Sequence, residues 1–393
     1  MDITIQPRKL SGTITVIPSK SQAHRLLICA AFGDKLTQLH CPDTNRDIDA
    51  TVDCLNALGA NIRRTDSGFE VQPIAAIPEK AALNCCESGS TLRFMLPIVG
   101  ALGVDATFLM EGRLPQRPLS PLWEEMERMG CTLSRPTENT LRCQGKLKSG
   151  TYSISGGVSS QFITGLTFAL CLMDTPSRLN ITGQIQSKPY IDLTNRAIDL
   201  FGGGFGKGRF RSPGYVAVEG DWSNGAFFVT AASLGSPLTI QGLDENSVQG
   251  DRAVVDLLRQ MDTACPTVSA ADIPDLVPIL SVAAACRQGA VFTDIQRLRL
   301  KESDRVASTI AMITGLGGKA EATEDTLTVW GTGLTGGTVD SVNDHRIAMA
   351  TAIAATVCKD NVTILDARCV GKSYPHFWEE YARLGGIYEQ YIR

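Results

Sequence analysis

Eight consecutive residues, Leu298-Arg-Leu-Lys-Glu-Ser-Asp-Arg305, concentrate chemistry: six of the eight side chains can carry charge or share a hydrogen bond. The stretch follows a strand-like run and precedes an apolar-periodic one, so it marks a strand-to-helix junction. If the turn is already helical, Lys301 and Arg305 share a face and Glu302 points roughly 100° away from Lys301 around the axis. Two cations and a carboxylate then converge on one small anion. In isolation the same residues read as a solvated first turn with an ordinary helix ion pair.

Other junctions shift that balance. Ser19-Lys20-Ser21-Gln-Ala-His24-Arg25 opens an apolar run, with Ser21 and Arg25 on one face. An arginine in a first helical turn opposes the macrodipole and costs stability unless an anion binds there. Asn343-Asp-His-Arg346 repeats the placement. Glu87-Ser-Gly89-Ser-Thr91 is a turn that lets backbone approach a ligand, and Ser159-Ser160-Gln161 is a hydroxyl-rich equivalent; plain N-capping explains each of these turns taken singly. Arg117 stands between two prolines and Lys372 precedes Ser-Tyr-Pro, positions that also suit ordinary surface cations. Yet Lys20, Arg25, Arg117, Lys301, Arg305, Arg346 and Lys372 all fall at junctions in a chain of net charge −4. They are expected to line one cleft and grip two multiply charged anions, at about 1.5–3 kcal/mol per charged hydrogen bond. On this reading the charges of 298–305 need not pair with each other.

The elements that would hold them recur with a period of roughly 70 residues. One mark is an amphipathic helix, in most cases closed by a glycine, expected over 47–59, 119–130, 190–202, 251–261, 304–315 and 375–385. The other is a helix apolar nearly all round, hence buried, expected over 21–32, 90–100, 160–172, 223–234, 275–286 and 344–357. Alternating strands such as Thr13-Ile-Thr-Val, Val71-Gln-Pro, Gly150-Thr-Tyr-Ser-Ile and Leu327-Thr-Val-Trp complete a unit that occurs six times. Gly202-Gly-Gly-Phe-Gly-Lys-Gly208 follows a helix instead of a strand, so it reads as a hairpin turn and not as a dinucleotide loop.

Bulk properties narrow the class. A chain of 393 residues exceeds what one core usually serves, so two domains are expected. Hydrophobic residues at 43% and charged residues at 20% describe a soluble globular protein. No apolar run is long enough to span a bilayer, and Met1-Asp-Ile-Thr-Ile-Gln-Pro lacks the form of a targeting segment, so the cytoplasm is expected. The 12 cysteines show no CxxC pairing and read as reduced structural residues; the 4 histidines have no metal-ligand spacing. The acidic balance argues against a nucleic-acid surface.

With those residues in view, the whole chain resembles the 5-enolpyruvylshikimate-3-phosphate synthase family of enolpyruvyl transferases. The motifs are Ser19-Lys-Ser-Gln-Ala-His-Arg25, Gly89-Ser-Thr-Leu-Arg93, Arg117-Pro, Ser159-Ser-Gln161, Ser187-Lys-Pro-Tyr190, Ile273-Pro-Asp275, Lys301-Glu-Ser-Asp-Arg305, Asn343-Asp-His-Arg346 and Lys372. The resemblance implies an α/β fold of two similar lobes, each of three βαβαββ-type repeats with buried central helices, an inside-out α/β barrel. One lobe would comprise 1–18 with 221–393 and the other 19–220, with the active-site cleft at the hinge. It also implies transfer of the enolpyruvyl group of phosphoenolpyruvate to the 5-hydroxyl of shikimate 3-phosphate, by addition and elimination through a tetrahedral intermediate.

By matching position, Lys20, Ser21, Arg25, Ser159, Ser160, Gln161, Ser187, Tyr190, Asp275 and Lys301 would hold shikimate 3-phosphate. Lys20, Gly89, Arg117, Gln161, Arg305, Arg346 and Lys372 would hold phosphoenolpyruvate. Asp275 would serve the hydroxyl and Glu302 the methylene carbon, with Lys20 assisting. The resemblance implies no metal, no organic cofactor, no nucleic-acid or membrane partner, and a monomer. Two departures stand out: Glu87 where many members have asparagine, and Arg297 where some use asparagine toward the shikimate phosphate. Two rivals remain: a related transferase acting on UDP-N-acetylglucosamine, which typically carries a reactive cysteine near the Arg117 position, and a non-catalytic anion binder. Leu114-Pro-Gln-Arg117 has no cysteine, and carboxylates among the cations do not help an anion binder.

Overall fold

The computed structural model describes residues 1–391. The chain divides into two compact units, Met1–Ile17 with Gly220–Arg393, and Pro18–Glu219. We call them the first and second unit; each has its own core.

The amphipathic and all-apolar helix classes both appear where hydrophobic periodicity puts them. Helices expected to be buried occupy Lys20–Ala31, Gly89–Leu102, Ser160–Leu172, Trp222–Ser233, Val277–Ala285 and His345–Ala354. Every residue of His345–Ala354 and of Val277–Ala285 is buried, as an apolar circumference requires. The amphipathic set occupies Arg46–Ala57, Leu122–Arg128, Lys188–Leu200, Val254–Thr263, Arg305–Gly315 and Phe377–Arg383. Several stop at glycines with positive φ, including Gly59 at 104°, Gly130 at 112° and Gly385 at 91°, a conformation that costs other residues strain.

The sheets repeat one pattern. Among the described residues all four 4-stranded sheets have a parallel pair extended by two antiparallel strands: Lys80–Asn84, Asp105–Leu109, Thr140–Gly145 and Cys131–Ser134 in the second unit are an example. In the first unit Thr267–Ser269, Ala290–Thr293, Thr326–Trp330 and Lys319–Ala322 follow the same order. Each unit also holds one 2-stranded parallel sheet, Thr151–Ser155 with Arg178–Thr182 and Leu238–Gln241 with Gly12–Thr15. Where the two parallel strands follow one another in the chain, as Lys80–Asn84 and Asp105–Leu109 do, a buried helix crosses between them and begins at the C-terminal end of the first strand.

In the second unit the helices Gly89–Leu102 and Ser160–Leu172 pack closely because residue 165 is glycine: a Cβ there would sit 2.2 Å from the Arg93 carbonyl oxygen. Among the described residues no helix is long and apolar enough to cross a membrane.

Two local expectations are corrected. Gly202 to Gly208 is not a hairpin: it joins the helix Lys188–Leu200 to the strand Tyr215–Ala217, and its Gly206 and Gly208 amides donate to the carbonyls of Leu170 and Cys171. Nor are Lys301 and Arg305 successive positions of one helical turn. A 3-10 turn covers Gln296–Leu300, Lys301 is extended, and the helix begins at Arg305 with Asp304 as its cap, accepting from the Val306 and Ala307 amides at 3.2 and 3.1 Å. Capping outcompetes early helix here because Asp304 satisfies two amides that would otherwise lack partners.

Candidate active site

In the first unit, the extended segment after Leu300 frees Lys301 and Glu302 from helical geometry, so that Glu302 meets Arg305 and Lys301 meets Asp275, a partner of Arg305. Arg305 is 1% exposed and gathers three carboxylates. Its Nη1 donates to Asp275 Oδ1 at 2.6 Å, its Nη2 to Glu302 Oε2 at 2.6 Å, and its Nε to Asp344 Oδ2 at 3.1 Å. Contrary to the expectation that these charges need not pair with each other, Glu302 and Arg305 form a direct ion pair. A buried guanidinium must be matched, and the neighbouring acids do that. Burial works against its charged form, but Asp344, Glu302 and Asp275 outweigh burial and hold its proton more tightly.

Asp275 is the hub. Lys301 Nζ lies 3.6 Å from its Oδ1 and Arg346 Nη2 3.5 Å from its Oδ2. Burial pushes its pKa up, yet Lys301, Arg346 and Arg305 together hold it well below the usual carboxylate range. Arg346 also donates to the Ser223 carbonyl at 2.8 Å. Asp344 is both the cap of the helix carrying Arg346 and a partner of Arg305, and Ser303 Oγ donates to it at 2.9 Å. Before that cap Val342 and Asn343 have φ of 45° and 60°, strained for a β-branched residue. The Asn343 carbonyl there accepts from Lys372 at 3.2 Å.

The second unit builds differently. Arg25, buried in the helix Lys20–Ala31, donates to the carbonyls of Ser21 and Tyr190 at 2.6 and 2.9 Å and to the hydroxyls of Thr194 and Thr164. Its guanidinium stands 5.0 Å over the Phe94 ring. With neutral acceptors only, burial lowers its pKa to about 10. Lys20 pairs with Asp47 at 2.9 Å. Ser159 caps Ser160–Leu172 through the Gln161 amide, Ser160 is buried at the helix start, and Ser187 precedes Lys188–Leu200 with a positive φ of 58°.

Gln161 accepts from Arg93 Nη1 at 2.9 Å and donates to Ser90 at 3.0 Å, so the Gly89 turn and the Ser159 turn are tied together. A Cβ on Gly89 would lie 2.7 Å from both Arg93 Nη1 and Arg117 Nη1, so the missing side chain is what admits two guanidinium groups. Glu87 in this turn packs against Gly112, where an added Cβ would meet its Oε2 at 2.6 Å.

A sequence model of the family described as EPSP synthase (3-phosphoshikimate 1-carboxyvinyltransferase) matches residues 5–381. The chain belongs to this family. It is 36% identical to the 3-phosphoshikimate 1-carboxyvinyltransferase of Clostridium beijerinckii over 99% of both chains. The enzyme of that name from Clostridium kluyveri is also 36% identical, over 99% of this chain and 98% of its own. Two solved structures of EPSP synthase from Acinetobacter baumannii share the fold, with TM-scores of 0.80 and 0.81 at 21% and 20% identity, covering 99% and 100% of this chain and all of theirs.

Within the first unit the structure brings Asp275, Lys301, Glu302, Arg305 and Arg346 into one ion-pair network, and Lys372, the last residue of the 3-10 helix Ala367–Lys372, donates to the Asn343 carbonyl in the loop before Arg346. Within the second it links Ser21, Arg25 and Tyr190 on one side, and Gly89, Arg117 and Gln161 through Arg93 on the other. The role of Arg93 escaped sequence reasoning because it lies inside the apolar run of a buried helix; its one signal was a charge where packing wants none. Asp344 read only as the start of a buried helix, and Asp47 only as the start of an amphipathic one.

Proposed function

We propose that this chain transfers the enolpyruvyl group of phosphoenolpyruvate to the 5-hydroxyl of shikimate 3-phosphate, releasing phosphate, in aromatic amino acid biosynthesis. Membership of the family over nearly the whole chain supports the reaction. The observation that carries the chemistry is Asp275 and Glu302 bound to the same guanidinium, Arg305, at 2.6 Å each. Anion binding alone gains nothing from carboxylates among the cations; proton transfer in both directions needs them.

In the assignment, the second unit's Lys20, Ser21, Arg25, Ser159, Ser160, Gln161, Ser187 and Tyr190 hold shikimate 3-phosphate, with Lys301 and Asp275. Lys20, Gly89, Arg117, Gln161, Arg305, Arg346 and Lys372 hold phosphoenolpyruvate. Asp275 accepts the 5-hydroxyl proton as the oxygen attacks C2, and Glu302 with Lys20 delivers a proton to C3. The tetrahedral adduct then loses the C3 proton and its phosphate, whose departure the cations stabilise.

In the ligand-free chain Asp275 is a weak base, because three cations surround it. An anion at Arg305 and Arg346 offsets part of that positive field and raises the basicity of Asp275 when both substrates are bound. Glu302 likewise leaves Arg305 for C3 only when the substrate carboxylate or phosphate replaces it.

The recurring sheet pattern supports three βαβαββ repeats per unit arranged as an inside-out barrel, and the reading includes a cytoplasmic monomer. Incubating the purified chain with shikimate 3-phosphate and phosphoenolpyruvate should release phosphate. Release only with UDP-N-acetylglucosamine as acceptor, or with neither acceptor, would sink the proposal.

A further inference from the structure

One buried acid of the first unit has no part in the reaction above. Asp251 lies in the 3-10 turn Gly250–Ala253, is 4% exposed, and its Oδ1 has no hydrogen-bond partner. Gln249 fixes this turn against the helix Trp222–Ser233, accepting from the Trp222 amide at 3.0 Å and donating to the Gly220 carbonyl at 2.8 Å. Asp251 lies within electrostatic reach of Asp275, Arg346 and Asp221, and the Ser223 hydroxyl beside it favours its ionised form, while the adjacent Arg252 turns away to the Glu245 carbonyl. Arg346 donates to the Ser223 carbonyl beside it, and its Nε is also a buried donor without a partner. Unmatched polar atoms on Asp251 and Arg346 in one buried corner are uncommon in folded chains.

Charge balance gives the corner a meaning. The cations Lys301, Arg305 and Arg346, with Arg297 beside Lys301, already face the acids Asp275, Glu302, Asp344 and Asp221. Asp251 is the fifth acid, and a buried unpaired carboxylate is costly. We propose that Asp251 is a proton-linked positioning residue for the phosphoenolpyruvate site: neutral, it leaves Arg346 free to attract the substrate, and ionised, it competes with the substrate for Arg346. This inference rests on the assignment of phosphoenolpyruvate to Arg346. Burial and the nearby Asp275 charge push its pKa up to about 7, so both states are populated in the neutral range. By linkage, an anion bound at Arg346 draws a proton onto Asp251.

Asp251→Asn supplies a permanent mimic of the neutral state. The test compares kcat and KM for phosphoenolpyruvate by phosphate release, wild type against Asp251→Asn, from about pH 6 to about pH 8.5. Equal KM values are expected at the acid end. Toward the alkaline end wild-type KM should climb on the order of tenfold relative to the variant, with kcat following the same course in both proteins. Parallel profiles, offset by a constant factor, would mean a merely structural role and overturn the inference. If the variant does not fold, infrared difference spectra of the wild-type chain at about pH 7.5 decide: added phosphoenolpyruvate should increase the band of a protonated carboxyl. No such band would refute it. Absence of phosphate release from the wild type defeats the assignment itself, which is a different result from release with parallel profiles.

Discussion

Arg305 and Arg25 are both buried guanidinium groups near helix N-termini, Arg305 as the first residue of its helix and Arg25, contrary to the first-turn expectation, in the second turn of Lys20–Ala31, and the two units treat them in opposite ways. Arg305 is gripped by Asp275, Glu302 and Asp344. Arg25 meets only two carbonyls, two threonine hydroxyls and the Phe94 ring. Carboxylate partners neutralise a cation in advance, so an arriving anion must displace them, and the displaced acids become available for proton transfer. Neutral partners fix the geometry of a cation and leave its charge to the ligand. On the proposed assignment, the first unit serves proton traffic and the second holds a phosphate.

The largest effect should come from removing a displaced acid. Glu302→Ala is expected to lower turnover by about 10²–10⁴, the usual worth of a general acid/base, while shikimate 3-phosphate binding by calorimetry stays nearly intact. Unchanged turnover would take Glu302 out of the mechanism and leave the first unit a mere anion clamp.

Substituting the two arginines tests the comparison directly. Arg305→Met takes the buried cation from Glu302 and Asp344 and leaves Asp275 with Lys301 and Arg346 only, and should destabilise the chain by about 3–5 kcal/mol in denaturant unfolding. Arg25→Met leaves neutral acceptors only, and about 1–3 kcal/mol is expected. Equal losses would show that the partners do not differ in the way their geometry indicates.

The same contrast sets opposite pH responses. Asp251 binds its proton more tightly when folded, so its contribution is present at low pH and lost as pH rises from about 4 to about 7. Asp251→Asn should accordingly gain stability over wild type at pH 8, by up to about 4 kcal/mol, and gain little at pH 4. His24 in the second unit is held well below its ordinary value by burial, Lys20 and Arg25, with Nδ1 2.7 Å from the Thr51 hydroxyl. Its contribution is present above about pH 6.5 and lost as pH falls below that value. Thermal melts of wild type, Asp251→Asn and His24→Gln across pH separate the two slopes; identical slopes in all three would remove both groups from the account.

The smallest effect concerns the Gly89 turn. Gly89→Ala forces Arg93 or Arg117 aside, and flexible side chains can yield, so a cost of about 1 kcal/mol is expected. A rise in KM for phosphoenolpyruvate of about fivefold, with kcat nearly kept, would match that.

What the sequence by itself determined was local. Hydrophobic periodicity located both classes of helix, because burial acts on a 3.6-residue repeat that the chain carries along its length. Capping chemistry marked their ends, and charges at helix starts, where the macrodipole disfavours them, singled out Arg25 and Arg346. What only the tertiary structure decided was partnership. Whether Arg305 meets acids or hydroxyls depends on Asp275 and Asp344, 30 and 39 residues away in sequence. Arg93 reaches Gln161 across 68 residues. The junction at 298–305 shows the division most plainly: its residue types announced chemistry, but Asp304 took the cap, Lys301 stayed extended, and that backbone turned Glu302 onto Arg305. Pairwise electrostatics depends on distances of a few ångströms in a poorly screened interior, and those distances exist only once the sheets and buried helices have brought remote segments together.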